Sequence, residues 1–161
     1  MKPSDHPEFF RLPPPEGRSR ESSIVLTKEG RFFHQGEPVA HPGMHQAFAS
    51  WLQRHPDDGR YILSNGYDWS YLTVEGASRF VRAVRREDGR PLLVLLDGLE
   101  ARLDPRALRS DAEGKLSVSL PGGEPASFTA SAQLELAPWL DEREGVIGLQ
   151  IADGFFPIAG A

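Results

Sequence analysis

Three short motifs occur twice along the chain, in the same order and at similar spacing. The first copy has EGRF at 29–32, GEP at 36–38 and ASWL at 49–52; the second has EGKL at 113–116, GEP at 123–125 and APWL at 137–140. Each copy describes a hairpin with a glycine turn, a strand ended by proline, and a helix whose Trp-Leu pair packs against the sheet. The repeat predicts an α+β fold of two repeated units, each an antiparallel β-hairpin or sheet with one packed helix.

Proline, glycine and apolar spacing divide the rest of the chain. Residues 1–22 form a Pro-rich N-terminal segment with three consecutive prolines, so we expect an extended arm that Phe9, Phe10 and Leu12 pin against the body. We expect the first α+β unit over 23–104 and a second, smaller one over 105–161.

The first helix has the clearest periodicity in the chain. Its apolar residues fall on a single helical stripe: Met44, Ala47, Phe48, Trp51 and Leu52. Pro42 lies where a first-turn proline belongs, and the PDDG sequence at 56–59 is expected to stop the helix. A second helix is expected from an N-cap at Thr129 to about Leu136.

Turn residues predict three hairpins. Residues 24–34 form one around Gly30, and the strands at 61–63 and 71–74 form another around Asn65-Gly66. Asp88-Gly89 predicts a third hairpin, in which Glu87 and Arg90 face each other. The unbroken LLVLL at 92–96 indicates a strand covered on both faces.

Composition excludes several classes of function. The 161 residues include no cysteine, which rules out disulfides, thiol nucleophiles and thiolate metal sites. The net charge is −5, and residues 111–161 carry only Lys115 and Arg143 as basic residues, so we expect no nucleic-acid partner. No apolar run approaches the about 18 residues of a membrane span, and the start lacks the apolar core of a secretory signal. We therefore expect a cytoplasmic protein that does not bind membranes.

Motifs for cofactor binding and catalysis are absent from the sequence. There is no Gly-rich phosphate loop and no Gly-x-Ser-x-Gly elbow, so we expect no cofactor and no catalytic residue. Ser64 and Ser70 flank Asp68, which leaves a hydrolase as a minor alternative. His41 and His45 are four residues apart with His34 before them, but no HExxH motif accompanies them, and we assign no metal site.

Three aromatic residues mark a candidate binding surface. Tyr67, Trp69 and Tyr71 alternate and share one sheet face if the strand begins by Tyr67. One interpretation packs them against the first helix beside Trp51, or over the joint between the units. The other makes them, with Asp68 and Arg79, one wall of a small-molecule or peptide cleft between the repeats.

Longer stretches resemble a known bacterial family. These are IVLTKEGRFFHQGEPVAHPGMHQAFASWL at 24–52, DDGRYILSNGYDWSYLTVEGASRF at 57–80 and GLQIADGFFPI at 148–158. They are similar to the "domain of unknown function 1285" family, and the chain departs from its pattern at 65–68 and at 76–80, as a divergent member would. The resemblance implies two repeated α+β units and a role in signalling or ligand sensing without established enzymatic activity. A basic residue usual in that family aligns with His41, which joins the candidate ligand-binding residues.

Two classes of function follow from these observations. The leading hypothesis is a non-enzymatic sensor or adaptor that binds a small molecule or a protein partner where the two units meet. The main alternative is a structural module that forms a homodimer through a strand edge, with no ligand. An unrecognised hydrolase or metal-binding protein ranks below both.

Overall fold

The computed structural model describes the whole chain, Met1–Ala161, as two compact units, Met1–Ser78 and Arg79–Ala161. The first unit has one helix and six strands: β1 (Glu21–Leu26), β2 (Phe32–His34), β3 (Glu37–Pro38), α1 (Pro42–Trp51), β4 (Leu52–Arg54), β5 (Tyr61–Ser64) and β6 (Trp69–Val74). The second has one helix and nine strands: β7 (Phe80–Glu87), β8 (Arg90–Leu95), β9 (Glu100–Arg102), β10 (Leu108–Ser110), β11 (Leu116–Ser119), β12 (Pro125–Phe128), α2 (Ala130–Leu136), β13 (Leu140–Arg143), β14 (Val146–Ile151) and β15 (Gly154–Pro157).

The division between the units differs from the expectation based on sequence. It falls at Ser78, whereas the sequence placed it after residue 104. The reason is that β7, β8 and β9 join the sheet of the second unit, where β7 pairs with β12. The N-terminal arm belongs to the first unit and includes two short 3-10 helices, Pro3–Asp5 and Pro7–Arg11.

Local turn chemistry explains the hairpins. Gly30 adopts a φ of 84° in the turn between β1 and β2. Asp88 and Gly89 both have positive φ, the combination that a tight two-residue hairpin needs, and Glu87 pairs with Arg90 as expected. Each turn closes two strands that neighbour each other in sequence.

The sheet of the first unit has the strand order β3-β2-β1-β6-β5-β4. Every neighbouring pair is antiparallel except β1 and β6, which are parallel. The expected antiparallel sheet is therefore a mixed one. The parallel pair arises because α1 and the β4–β5–β6 meander carry the chain back, so that the last strand lies beside the first in the same direction.

The second unit repeats this element order and adds three strands. Strands β10, β11 and β12, then α2, then the β13-β14-β15 sheet follow the order of β1 to β6. A parallel bridge joins Arg109 of β10 to Ala159 after β15, as β1 is joined to β6. The β7-β8-β9 meander extends the sheet at β12 through a second parallel pair. The two-unit α+β architecture is thus confirmed.

Strand register fixes which residues correspond in the two copies. Leu52 pairs with Leu63 in the first copy, and Leu140 pairs with Leu149 in the second. Trp51 and Trp139 directly precede Leu52 and Leu140, so the two tryptophans occupy equivalent positions. With this register, the two copies can be compared residue by residue and not only at the three sequence motifs.

The first residues of both helices agree with the sequence prediction, but the last residue of α1 does not. Pro42 opens α1, and the Thr129 hydroxyl caps α2 by accepting a hydrogen bond from the Ala132 amide at 3.2 Å. Helix α1 ends at Trp51, before the 56–59 sequence that was expected to stop it. Leu52 instead begins β4, because its pairing with Leu63 places it in the sheet.

The second unit contains the larger hydrophobic core. Leu93 and Leu95 belong to this core, and the whole 92–96 run is buried, as a strand covered on both faces should be. None of the helices of the chain is long and apolar enough to cross a membrane.

Candidate functional site

An open cavity of about 170 Å³ lies in the first unit between α1 and the sheet. Its walls come from α1, β1, β5, β6 and the loop before β6: Ile24, Phe48, Trp51, Leu63, Asn65, Asp68, Trp69 and Ser70. The deeper walls are apolar, and the loop contributes polar side chains. We take this cavity and the adjoining face of α1 as the candidate binding site.

Helix α1 is attached to the sheet through its middle turns. The Phe32 and Phe48 rings meet edge to face at 5.6 Å, and His45 Nε2 accepts a hydrogen bond from the Phe32 amide at 3.3 Å. Burial, and next the positive charge of Arg31, hold the pKa of His45 below its ordinary value. A neutral ring is the form that can accept this hydrogen bond.

The apolar stripe of α1 is only partly covered. No residue of α1 is buried, and Met44 in its first turn is 41% exposed. Phe48 and Trp51, which the sequence placed on the core-facing stripe, are half-buried and line the cavity. The helix therefore leaves a hydrophobic surface next to an opening into the sheet.

Helix α2 has the same position in its own copy and is closed. Leu136 is fully buried, and Trp139 is 7% exposed. The Trp139 indole donates a hydrogen bond from Nε1 to the Gly89 carbonyl at 2.9 Å, and the Arg86 guanidinium lies 4.4 Å from the ring centre. The β7–β8 hairpin thus covers the tryptophan of the second copy.

The polar rim of the cavity is formed by the loop between β5 and β6. Asn65 Oδ1 accepts hydrogen bonds from the amides of Tyr67 and Asp68, both at 2.9 Å. Asp68 Oδ1 accepts from the Trp69 amide at 2.9 Å and from the Arg20 guanidinium at 2.5 Å. Although burial opposes ionisation of Asp68, these two donors hold the pKa of its carboxyl below the ordinary value. The rim therefore carries a charged carboxylate.

The N-terminal arm covers the other face of the same sheet. Phe9 is 6% exposed and packs with Ile62 and Trp69. Trp69 Nε1 donates to the Phe9 carbonyl at 3.3 Å, and the buried His55 ring makes a 2.9 Å hydrogen bond to the Phe10 carbonyl. The expectation that Phe9 and Phe10 anchor the arm agrees with this packing, whereas Leu12, which was expected to anchor it as well, is 54% exposed.

Arg20 links the arm to the sheet. Its guanidinium donates to the carbonyls of Trp69 and Pro13 at 3.0 and 3.1 Å and lies 4.5 Å from the centre of the Trp69 ring. Because it also binds Asp68, it connects the arm to the rim of the cavity. Nothing in the sequence motifs pointed to this residue.

The predicted aromatic surface is divided by the fold. The strand begins at Trp69, and Tyr67 lies in the preceding loop with 65% of its surface exposed. The rings of Trp69 and Tyr71 meet at 5.2 Å on the face that the arm covers, whereas the interpretation beside Trp51 placed them against α1. That interpretation was wrong for Tyr71, because alternation turns its side chain away from the helix.

The remaining sequence candidates lie apart from the cavity. His41 is the N-cap of α1, and its Nδ1 accepts from the amides of Gly43 and Met44 at 3.1 and 3.3 Å. Arg79 is the first residue of the second unit, where it pairs with Glu124 at 3.3 Å and Asp97 at 3.6 Å. Of the six candidates, Asp68 and Trp69 line the cavity.

Histidines and acidic residues do not form a metal-binding group in this structure. No cluster of three or more His, Asp or Glu side chains is placed to hold a metal ion. His41 and His45 each use a ring nitrogen to accept backbone hydrogen bonds, and His34 lies on β2 opposite Ile24.

Six cavity residues were not singled out as binding residues in the sequence. Two of them are Trp51, placed on the core-facing stripe of the helix, and Ser70, named only for the hydrolase alternative. Ile24, Phe48 and Leu63 read as ordinary core positions, and Asn65 reads as a turn residue. The signal that finds the cavity is the strand register, which places polar residues of the first copy at the positions of apolar ones in the second.

Comparison with known proteins identifies the fold. Neither a protein-family model nor a curated protein matches the chain. A DUF1285 family protein from Silicibacter pomeroyi DSS-3 is similar in structure, with a TM-score of 0.59, 19% sequence identity, and coverage of 94% of this chain and 93% of that one. A DUF1285 family protein from Shewanella baltica OS155 is similar with a TM-score of 0.51 and 16% identity, over 70% of this chain and 87% of that one. The resemblance inferred from the sequence is thus confirmed at the level of the fold, which this chain shares with two proteins of the DUF1285 family.

Proposed function

We propose that this protein is a non-enzymatic adaptor that binds a protein partner through the exposed face of α1. The observation that carries the proposal is the contrast between the equivalent tryptophans: Trp139 is covered by a hairpin of its own unit, and Trp51 is not. Half-buried aromatic residues next to an opening are the kind of group that contributes most of the binding energy in protein interfaces.

The size of the cavity favours a protein over a metabolite. Pockets that enclose small-molecule ligands are usually about 300–1,000 Å³, and this cavity is about 170 Å³. It can take one side chain, while Met44 and Trp51 offer apolar surface beside it. A side-chain anchor within a larger contact surface fits these dimensions better than an enclosed ligand.

Selection from a displayed random-peptide library tests the proposal. We expect enriched peptides that bind the purified protein and lose at least about tenfold in affinity for the Met44→Lys variant, since a charge at this exposed position opposes apolar docking. Leu134→Lys is the matched control, because Leu134 is an exposed apolar residue of α2. It should leave peptide binding unchanged.

Two results would contradict this function. Failure to enrich any peptide that responds to Met44→Lys would exclude α1 as the docking face. Light scattering that shows a concentration-dependent dimer abolished by Met44→Lys would replace the adaptor with the homodimer alternative.

A further inference from the structure

The register between the copies shows what the cavity lacks. Leu63 pairs with Ser70 across β5 and β6, and Leu149 pairs with Phe156 across β14 and β15. Ser70 therefore occupies the position of Phe156. The Phe156 ring packs against the core of the second unit, whereas Ser70 leaves that volume empty in the first.

The other walls of the cavity follow the same correspondence. Ile24, Phe48, Trp51 and Leu63 match residues that are all buried in the second core: Leu108, Leu136, Trp139 and Leu149. Asn65, two residues after Leu63, matches Ile151, which is also buried. The cavity is thus the counterpart of a filled core from which one aromatic ring and one aliphatic side chain have been removed.

The empty volume has the size of an aromatic ring. An engineered apolar cavity of about 150 Å³ in another protein binds benzene, and this cavity measures about 170 Å³. Apolar walls from Ile24, Phe48 and Leu63 would contact such a ring, and their counterparts belong to the core against which Phe156 packs. A ring supplied from outside would restore the packing that the second copy builds from its own chain.

Polar groups at the cavity favour an aromatic ring that carries a hydroxyl over a plain phenyl ring. The Ser70 hydroxyl has no hydrogen-bond partner within the chain, and the ionised Asp68 carboxylate borders the same volume. Both groups can accept a hydrogen bond from a hydroxyl on the ring.

We infer that the cavity binds a tyrosine side chain of the protein partner, whose ring takes the place that Phe156 has in the second copy and whose hydroxyl bonds to Ser70 or Asp68. This inference rests on the proposed function and names the chemistry of its anchor. The aromatic probe p-cresol is the tyrosine side chain itself, and toluene is the matched probe without the hydroxyl.

Titration of the full chain with both probes, followed by amide chemical shifts, tests the inference. We expect p-cresol to shift the amides of Ser70 and Trp51 and to bind about tenfold more tightly than toluene, because a hydrogen bond to a charged group adds to the ring contact. Equal affinity of the two probes would overturn the role of the hydroxyl, and no binding of either would overturn the pocket.

Variants at position 70 test whether p-cresol binds in the volume next to Ser70. Ser70→Phe supplies the missing ring internally and should abolish p-cresol binding, and Ser70→Leu provides the same test if the phenylalanine variant does not fold. Phe156→Ser is the matched control in the second unit, and it should leave p-cresol binding at Ser70 intact. Binding that survives both variants at position 70 would place the probe elsewhere and contradict the inference.

A second pair of probes separates a protein partner from a free amino acid. N-acetyl-L-tyrosinamide resembles a residue within a chain, and we expect it to bind at least as well as free L-tyrosine. Preference for free L-tyrosine would overturn the protein source. If peptides are selected through α1 but lack tyrosine, this inference fails and the proposed function stands. If p-cresol binds but no peptide is selected, the proposed function fails and so does the protein source of the tyrosine, and only the aromatic pocket remains.

Discussion

The helices α1 and α2 begin alike and end differently. A side chain caps each one, His41 in the first and Thr129 in the second. One turn later, His45 and Gln133 each accept a hydrogen bond from the first amide of a strand, Phe32 and Leu116. Beyond this point β7 packs against α2 and the β7–β8 turn accepts the hydrogen bond of Trp139, whereas α1 borders an open cavity.

The comparison of α1 with α2 distinguishes the interactions that both copies keep from the covering of the helix, which only the second copy has. The cap and the strand amide are satisfied in both copies, because an unpaired backbone donor is costly wherever it is shielded from water. Covering of the helix by a further hairpin occurs in one copy only, so the fold does not depend on it. The apolar face of α1 is therefore not needed to complete the fold and remains accessible.

The largest expected effect concerns the residues that face the sheet from each helix. Leu136→Ala should lower the free energy of unfolding by about 3 kcal/mol, because it leaves a hole in a closed core. Phe48→Ala at the equivalent position should cost only about 1 kcal/mol, since the ring is half-buried beside a cavity. Urea unfolding followed by circular dichroism measures both. Equal losses would mean that α1 is as tightly packed as α2.

A smaller effect is expected at the two tryptophans. Trp139→Phe removes the hydrogen bond to the Gly89 carbonyl and should cost about 1 kcal/mol. Trp51→Phe should cost less than about half of this, because the Trp51 indole makes no hydrogen bond within the chain. The same unfolding measurement compares them, and a larger loss at Trp51 would contradict the contrast on which the proposed function depends.

The smallest effect is a pH dependence at His45. Unfolded His45 takes up a proton near its ordinary pKa of about 6.5, but the folded state resists protonation because its pKa is lowered. The unfolded state therefore binds more protons below this pH, and folding stability decreases as the pH falls through about 6.5. Above that range the contribution is constant.

Exchanging His45 and its equivalent in α2, Gln133, tests this pH dependence. His45→Gln should reduce the drop in Tm between pH 7.5 and pH 5.5 by about 1–2 °C, since glutamine can accept the same hydrogen bond without titrating. Gln133→His should enlarge the drop by a similar amount. Melting curves at the two pH values give the comparison, and a drop that is unchanged in His45→Gln would assign it to other groups.

The parts of the fold that the sequence predicted depend on local chemistry. Gly30 and the Asp88-Gly89 pair determine turns between neighbouring strands, and Thr129 marks a helix start, so a few adjacent residues carry each signal. The parallel pair β1–β6 was not predicted, because it joins strands separated by the helix and the meander. No residue within either strand encodes its distant partner.

The candidate site was predicted only in part, for a related reason. Asp68 and Trp69 were found because charged and aromatic residues stand out in a strand-and-turn sequence. Tyr67 was placed on the strand, since alternation alone cannot show that the Asn65 side chain holds a turn as far as Asp68. Ser70 signals a cavity only when compared with Phe156, and that comparison requires the strand register.

The parallel pairing of distant strands also has a consequence for synthesis of the chain. In the first unit, β1 is synthesised well before β6, so the edge of β1 that pairs with β6 stays unpaired until β6 has left the ribosome. In the second, β7 waits in the same way for β12. Each unit thus exposes an unpaired strand edge during translation, and such edges attract other nascent chains. Slow elongation after β1 or β7 would lengthen that exposure, whereas rapid synthesis through β6 and β12 would protect the protein from aggregation as it is made.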